Sequence, residues 1–318
     1  MTALPLPRVS VGLPVYNGEK YLGQAIECVL RQTYRDLELV ICDNASTDRT
    51  QEICQSYAAT DPRVRYTRNA TNIGLAPNHN RVAELARGEF FLWAAHDDYL
   101  APNYLEHCLT VLDESPNVVL CYALSQDVDE NGRHLSVDNP HRERAVSVER
   151  LATAAPEPNA RFRDLIRLDH HCEAMLGLMR ASVLKGTGLH GNYADADRVL
   201  LAELGLRGQF HLLKDRLIYH REHSGRSVHI HGNRYDRTVW MDPSNAGKLL
   251  LPYFHELLCF RGAVNHAPIS SGQAARCYAH LFVWVGRYRR QLLGDLQYAL
   301  RQRAKRILRG FGLLRAQI

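Results

Sequence analysis

Two adjacent acids, Asp97 and Asp98, come directly after an apolar segment, residues 89–95, with Phe-Phe-Leu-Trp at its centre. Neighbouring carboxylates at the end of a buried strand repel each other unless a positive group neutralises them. A hard divalent cation, Mg²⁺ or Mn²⁺, does this while it also binds the phosphate oxygens of a substrate. The pair therefore indicates a metal site, although two acids shortly before Pro102 are also typical of a helix start.

A third acid, Asp43, ends another continuous apolar run, residues 37–42. It opens the polar segment Asp-Asn-Ala-Ser-Thr-Asp, which could contact the base and ribose of a nucleotide. The alternative is a turn stabilised by the Asp43 side chain. For Asp48, at the end of the same segment, we predict that the side chain caps the helix that follows.

Strands and helices alternate through the first half of the chain. Apolar runs predict strands at about residues 9–13, 37–42, 64–66, 89–95 and 118–124, with helical spacing of apolar residues between them. This alternation predicts an α/β fold whose mostly parallel sheet is flanked by helices. Ligands bind at the carboxyl ends of strands in such sheets, so Asp43 and the Asp97-Asp98 pair are expected to share one cleft.

The second half has a less regular pattern. Asn131-Gly132 predicts a hairpin turn, and the Pro-, Asn- and Arg-rich residues 138–163 predict a long loop. A helix is expected at residues 195–206 and a strand at 210–219, after which the chain reads as helical from about residue 245.

Four segments resemble family 2 glycosyltransferases of the GT-A fold. They are Pro14-Val15-Tyr16-Asn17, Val40 to Asp48, Asn72-Ile73-Gly74 and the acidic motif before Pro102. Their order and spacing match the family over about residues 8–230. The resemblance implies a GT-A catalytic domain over 1–240, with a nucleotide-sugar half at about 1–125 and an acceptor half at about 126–240. A helical C-terminal extension would occupy 241–318.

The resemblance implies a set of donor-binding residues. Tyr16 and Asn17 would line the nucleotide pocket, Asp43 would hydrogen-bond uracil or an equivalent base, and Asp97 would contact the ribose or a water. The Arg221-Glu222-His223 segment resembles the family's Arg-x-His segment, which closes over the diphosphate; a solvated basic loop is the alternative. The full donor-binding set is Pro14, Tyr16, Asn17, Asp43, Asn44, Ser46, Asp97 and Arg221.

The resemblance also implies a divalent metal cofactor, Mn²⁺ or Mg²⁺. Asp98 would be its direct ligand, and His96 stands where the family's Asp-x-Asp motif has its first acid. Imidazole suits Mn²⁺ better than Mg²⁺. His223 would join the metal or a phosphate, which makes the implied metal set Asp98, His96 and His223.

Transfer of a sugar with inversion needs a carboxylate that takes the proton of the acceptor hydroxyl. Residues 196–204 resemble the family's Glu-Asp motif at a helix start, with Ala196 in place of the Glu. We therefore expect Asp197 to be the catalytic base, with Asp195 as the alternative. Both acids would equally be favoured there by the helix dipole alone.

The composition is that of a soluble globular protein: 318 residues, 46% hydrophobic and 23% charged. The 8 cysteines include no Cys-x-x-Cys pair, which favours a reducing compartment. The first ten residues lack the features of a signal peptide, and no apolar run has the length of a membrane span. We expect a cytoplasmic protein, with peripheral contact at the inner face of the membrane as an added expectation.

The net charge of +5 is concentrated near the C-terminus. Between Arg287 and Arg315, Asp295 is the lone acid among many arginines, and leucines recur at helical spacing. Such a basic amphipathic helix can lie on an anionic membrane, pack on the catalytic domain or pair with another subunit. Nucleic-acid binding is not expected, because the segment has no interleaved aromatic platform and no known nucleic-acid-binding motif.

Together these features predict a metal-dependent, inverting glycosyltransferase of the hexosyltransferase class. The donor would be a nucleotide-diphosphate sugar, UDP-sugar favoured, and the acceptor a glycan or lipid-linked molecule in surface or extracellular polysaccharide synthesis. One alternative is a non-catalytic glycan- or nucleotide-binding protein on a degenerate GT-A fold. Another is a sugar-phosphate nucleotidyltransferase, which needs a Gly-rich basic loop where this chain has Pro14-Val15-Tyr16-Asn17.

Overall fold

The computed structural model describes residues 6–136, 148–225 and 233–310. Its strands are β1 (Val9–Val15), β2 (Leu37–Asp43), β3 (Val64–Arg68), β4 (Phe90–Trp93), β5 (Tyr99–Leu100), β6 (Val118–Val128), β7 (Leu178–Arg180) and β8 (Gln209–Arg221). Within the described ranges they form one sheet in the order β3-β2-β1-β4-β7-β6-β8-β5. The four strands from β3 to β4 are parallel, β7 and β5 are antiparallel to their neighbours, and β6 and β8 are again parallel. The predicted α/β fold is confirmed. In the half of the sheet from β7 to β5, parallel and antiparallel strand pairs are mixed.

The helices are α1 (Leu22–Leu30), α2 (Thr50–Thr60), α3 (Leu75–Leu85), α4 (Tyr104–Glu114), α5 (Pro158–Arg167), α6 (Ala181–Lys185), α7 (Ala196–Arg207), α8 (Arg234–Met241), α9 (Pro252–His266), α10 (Ser271–Arg287) and α11 (Arg289–Gly310). Three long helices, α9 to α11, make up nearly all of residues 252–310, the part of the C-terminal region that the structure describes, which confirms the predicted helical C-terminal region. Among the described helices, none combines the length and the apolar character that crossing a membrane requires.

Helices cover both faces of the sheet, and all residues of β1 and β2 are therefore buried. On one face, Leu13 of β1 packs in a core with Ile26 of α1 and Leu105 of α4. On the other face, Val82 of α3 and Phe162 of α5 belong to a second core that α7, α9 and α10 extend.

β1 continues through Pro14, where the sequence predicted a break. Pro14 lies opposite Cys42, and Val15 lies opposite Asp43. The carbonyl of Val15 accepts from the N–H of Asn44, so Val15 faces β2 and Pro14 faces the β4 side. Pairing with β4 has already ended at Gly12, so the N–H that proline lacks has no strand partner to lose.

The predicted loop over residues 138–163 is wrong in its last part, because α5 begins at Pro158. Phe162, Leu165 and Ile166 are buried at helical spacing, a signal hidden by the polar residues around them. The buried guanidinium of Arg161 donates to the carbonyl of Gly205 on α7 at 2.6 Å, which fixes the two helices together. Residues 137–147 lie outside the described residues.

Candidate active site

The acids singled out in the sequence lie at one edge of the sheet. β1 and β2 end side by side at Val15 and Asp43, and β4 ends at Trp93, four residues before Asp97. The last residues of β8, His220 and Arg221, contact the two acids directly. The structure therefore brings Asp43 and the Asp97-Asp98 pair to the carboxyl ends of β2 and β4, the two parallel strands that flank β1.

Asp43 is fully buried, and both of its oxygens accept hydrogen bonds. Oδ1 accepts from the N–H of Ser46 at 2.8 Å. Oδ2 accepts from the hydroxyl of Tyr66 at 2.9 Å and from Nη1 of Arg68 at 2.6 Å. Burial, and then the hydrogen bond to Asp43, raise the pKa of Tyr66 well above its usual value. The sequence reasoning missed Arg68, although it ends β3, the strand beside β2.

The loops after β1 and β2 are joined by reciprocal hydrogen bonds. The N–H of Asn17 donates to Oγ of Ser46 at 2.9 Å, and the N–H of Thr47 donates to Oδ1 of Asn17 at 2.8 Å. Asn17 has a φ of 51° and Ala45 a φ of 61°, both in the left-handed region. This geometry leaves the side chain of Tyr16 45% exposed beside the loops.

Asn44 is buried and holds the Asn72-Ile73-Gly74 segment. Its side-chain amide donates to Oδ1 of Asn72 at 2.9 Å and to the carbonyl of Gly74 at 3.0 Å. Its oxygen accepts from the N–H of Ile73 at 2.9 Å. Gly74 has a φ of 93°, and a Cβ there would lie 2.7 Å from the carbonyl oxygen of Met241. Two of the four segments that resemble the family are therefore bonded to each other.

Asp97 and Asp98 have different partners. Oδ1 of Asp98 accepts from the N–H of Arg221 at 2.9 Å, and its Oδ2 lies 2.8 Å from Nδ1 of His220. Oδ2 of Asp97 lies 3.0 Å from Nε2 of His223. Both oxygens of Asp98 are thus occupied by the end of β8, whereas Asp97 pairs with an imidazole.

The carboxyl of Asp97 is held as an anion. Burial acts to raise its pKa, but the hydrogen bond with His223 and the charges of His96 and His223 outweigh that effect and hold the pKa well below its usual value. An ionised carboxylate beside two imidazoles has the chemistry of a site for a cation.

Arg221 is buried beneath the acids. Its Nε donates to the main-chain carbonyl of Asp97 at 3.0 Å, Nη1 to the carbonyl of Glu130 at 2.8 Å, and Nη2 to Oε1 of Gln24 at 2.5 Å. The guanidinium also lies 4.6 Å from the centre of the Tyr21 ring. It therefore fixes the loop after β4 against α1 and the turn after β6, a contact that the sequence reasoning did not foresee.

The metal ligands implied by the sequence are only partly brought together. His223 contacts Asp97 rather than Asp98. In the ranges that the structure describes, no three His, Cys, Asp or Glu side chains form a metal-binding group. A divalent cation in a nucleotide site uses one or two protein ligands and completes its shell with substrate phosphates and water. Asp97 and His223 are in contact and fit such a cation, and Asp98 stays a predicted ligand whose Oδ1 accepts from the N–H of Arg221 and whose Oδ2 lies beside His220.

The two acids at the start of α7 also differ. Asp195 has a φ of 64° and pairs with Arg234 and with Arg237, whose Nη1 lies 2.9 Å from its Oδ1. Asp197 lies in the first turn, where its Oδ1 accepts from the N–H of Arg198 at 2.9 Å. Two arginines therefore hold Asp195 in place, whereas the role of Asp197 as the base stays a prediction.

Two histidines outside the acidic cleft, His79 and His190, have their rings 5.5 Å apart. Burial lowers the pKa of His79 to about 3, with further contributions from the charges of His190 and His96. Burial likewise lowers the pKa of His190, and the charge of Asp197 opposes that shift. The scattered sequence positions did not reveal this pair.

A sheet of this topology, with acids gathered at its carboxyl edge, defines the chain as an α/β protein of the kind that binds its ligands at that edge. The model of glycosyl transferase family 2 matches residues 10–183, more than half of the chain. The chain therefore belongs to glycosyltransferase family 2, and the resemblance stated from its motifs is confirmed.

Relatives and solved structures agree with this assignment. The chain is 34% identical to chondroitin synthase of Escherichia coli over 149 residues, which are 47% of this chain and 21% of the synthase. It is 32% identical to hyaluronan synthase of Pasteurella multocida over 149 residues, 47% of this chain and 15% of that protein. The chain thus spans only a small part of these enzymes.

Two structures share the fold. S. aureus TarS 1–349 in complex with UDP superposes with a TM-score of 0.59 at 18% identity, over 88% of this chain and 71% of that one. The mannosyltransferase PcManGT from Pyrobaculum calidifontis, in complex with GDP-Man and Mn²⁺, superposes with a TM-score of 0.51 at 18% identity. The superposition covers 95% of this chain and 88% of PcManGT.

Proposed function

We propose that this chain transfers a sugar, with inversion, from a nucleotide-diphosphate sugar to a hydroxyl of a glycan or lipid-linked acceptor. The observation that carries the proposal is the contact of Asp97 with His223 at the sheet edge where Asp43 also lies. A carboxylate and an imidazole there suit a cation that binds the donor's diphosphate.

A UDP-sugar is the donor that we favour. Support comes from TarS, which was crystallised with UDP and with UDP-GlcNAc, although PcManGT was crystallised with GDP-Man. In the proposed complex Tyr16 lies along the base and Asp43 stands at the floor of the base pocket. Because Arg68 and Tyr66 already bond Asp43, that carboxylate would act mainly by fixing the loop around the base.

Asp97 and His223 would hold the divalent cation, Mn²⁺ in preference to Mg²⁺ because an imidazole takes part. When bound, the cation neutralises the charge that develops on the diphosphate leaving group. Arg221, enclosed beneath the loop, acts by positioning Asp97 rather than by contacting the phosphates.

Asp197 is the proposed base. It takes the proton of the acceptor hydroxyl as that oxygen bonds to the anomeric carbon of the donor, and the bond from that carbon to the diphosphate breaks with its electron pair leaving on the nucleotide. The relatives named chondroitin synthase and hyaluronan synthase support an acceptor in polysaccharide synthesis. We place this reaction on the cytoplasmic side of the cell.

A thermal-shift and calorimetry screen of UDP, GDP and their sugars, with and without Mn²⁺, tests the proposal. We expect UDP or a UDP-sugar to stabilise the protein, and the shift to depend on Mn²⁺. Slow hydrolysis of the stabilising UDP-sugar should also be detectable. Absence of nucleotide binding under every condition would refute the function.

A further inference from the structure

The last helix, α11, packs on the rest of the chain through one face. Leu292 is buried in the core, and Asp295 is buried at the start of α9. Oδ1 of Asp295 accepts from the hydroxyl of Tyr235 at 2.9 Å, and Oδ2 accepts from the N–H of Tyr253 at 2.9 Å. A carboxylate at a helix N-terminus, bonded on both oxygens, fixes α11 firmly in this position.

A second face of α11, about a quarter-turn from the buried one, carries exposed leucines. Leu293 is 56% exposed, Leu296 44% and Leu300 68%. Their spacing of three and four residues places them in one stripe. Three exposed leucines in one stripe indicate a surface that meets another apolar phase.

Arginines border the stripe. Arg289, Arg290, Arg301 and Arg303 are exposed on the same helix. From residue 267 to residue 310 the sequence has Arg or Lys at 276, 287, 289, 290, 301, 303, 305, 306 and 309, and its one acid is the buried Asp295. The segment therefore carries a strong positive charge with no exposed acid to offset it.

We infer that this face lies on an anionic membrane surface, with Leu293, Leu296 and Leu300 entering the interface and the four arginines contacting lipid phosphates. We call these seven residues the basic C-terminal face. Apolar residues flanked by arginines are the pattern of helices that lie in the plane of a membrane. A second copy of the chain fits poorly, because pairing two such faces would bring like charges together.

Vesicle flotation tests the inference in the absence of donor and acceptor, so its result does not depend on the proposed enzymatic function. The full chain is mixed with phosphatidylcholine vesicles that contain either no anionic lipid or about one third phosphatidylglycerol. We expect binding to the anionic vesicles and its loss at high salt, because the charges of an exposed surface are screened.

Variants assign the binding to the face. Replacing both Arg301 and Arg303 by Gln should weaken partition about 30-fold, because each basic residue near an anionic surface contributes about 1 kcal/mol. The matched control, Arg31→Gln with Arg49→Gln, removes the same charge from exposed positions elsewhere and should change partition little. The double variant Leu296→Gln with Leu300→Gln should weaken partition at least about tenfold. Leu6→Gln replaces an exposed leucine that is distant in sequence from α11, and it should leave partition unchanged.

The inference is overturned if the chain does not bind anionic vesicles, or if both arginine pairs contribute equally. Sedimentation provides a second test. If the wild type is a dimer and the double variant Leu296→Gln with Leu300→Gln is a monomer, the face binds a second copy of the chain and the inference is overturned. Circular dichroism of each variant checks that the fold is kept; these side chains are exposed, so we expect no change.

Discussion

Nε2 of His223 lies 3.0 Å from Oδ2 of Asp97, a contact between residues 126 positions apart. It joins the end of β8 to the segment after β4. The neighbouring acid is bound to the same strand end in another way, because the main-chain N–H of Arg221 and the ring of His220 occupy both oxygens of Asp98. The two adjacent carboxylates therefore have different partners, and we propose different roles for them: Asp98 fixes β8 to this loop, and Asp97 presents a charge to the cleft.

Replacing Asp97 by Asn tests this division of roles. The amide keeps the size of the side chain but removes the charge that would hold a cation. We expect metal-dependent binding of UDP to weaken by at least about 30-fold, or about 2 kcal/mol, with little change in melting temperature. Calorimetry with and without Mn²⁺ measures the affinity.

Asp98→Asn is the matched comparison. It should lower the free energy of unfolding by about 2 kcal/mol, because a buried N–H and an imidazole lose a charged acceptor. UDP binding should fall less than in Asp97→Asn at a temperature where both variants are folded. The reverse order of the two effects would make Asp98 the metal ligand, as the motif resemblance implied.

Replacing Asp197 by Asn should separate binding from chemistry. The variant should bind UDP with unchanged affinity yet transfer sugar about 100- to 10,000-fold more slowly, the usual contribution of a positioned base. Transfer is measured as release of UDP in the presence of an acceptor. Turnover near that of the wild type would place the base elsewhere.

Asp195→Asn provides the control for Asp197. Asp195 pairs with Arg234 and Arg237, and Arg234 also pairs with the buried Glu256 at 2.9 Å. We therefore expect Asp195→Asn to lower the melting temperature, because it removes a charge from a partly buried network. Activity per folded molecule should fall less than in Asp197→Asn.

Arg221→Met should destabilise the protein rather than only weaken donor binding. The buried guanidinium bonds three main-chain carbonyls and Gln24, and methionine would remove all four of these charge-assisted hydrogen bonds. A loss of about 3 kcal/mol in the free energy of unfolding is expected from urea titration. A stable variant whose sole defect is diphosphate affinity would instead support the phosphate contact implied by the family motif.

The meeting of Asp43 with Asp97 at one sheet edge could be predicted from the sequence, because each follows an apolar strand and parallel strands end at the same edge. The partners of these acids could not. His223 and Arg221 reach the acids only after β8 has paired with β6 over residues 118–128, and no local periodicity encodes that pairing. The same limit hid the contacts of Asp195 with Arg234 and Arg237, which lie on a different helix.

Helix α5 shows a different limit. Its apolar residues have helical spacing, but the preceding run of Pro, Asn and Arg residues favours a loop, and the burial of Arg161 breaks the expected pattern of polar residues outside. The carbonyls of Ala155, Pro156 and Gly205 satisfy that guanidinium. Only the tertiary structure supplies these acceptors, so the helix could not be recognised with certainty from composition.

Glu38 is buried in β2 and provides a stability prediction away from the cleft. Its carboxylate accepts from Oγ of Ser10 at 2.6 Å and pairs with Arg65 at 2.7 Å and Arg87 at 2.8 Å. Burial acts to raise its pKa, but these hydrogen bonds outweigh that effect and lower the pKa below its ordinary value. Glu38→Gln should therefore lower the free energy of unfolding at pH 7 by about 3 kcal/mol, the usual cost of breaking a buried pair.

The pH dependence of this loss follows from the direction of the shift. As the pH falls below 4.5, the ordinary pKa of a glutamate, the unfolded chain binds a proton at Glu38 before the folded chain does. The stabilisation by Glu38 is therefore fully present above that pH and decreases as the pH falls towards the lower pKa of the folded chain. Urea titrations of the wild type and Glu38→Gln should thus differ most near pH 7 and converge in acid. Glu38 lies near the start of β2, and Asp43 ends the same strand in the cleft. UDP affinity at pH 7 should consequently be equal in the two proteins. If their free energies of unfolding instead differ by the same amount from pH 7 down to pH 3, the ionised form of Glu38 is not what stabilises the sheet.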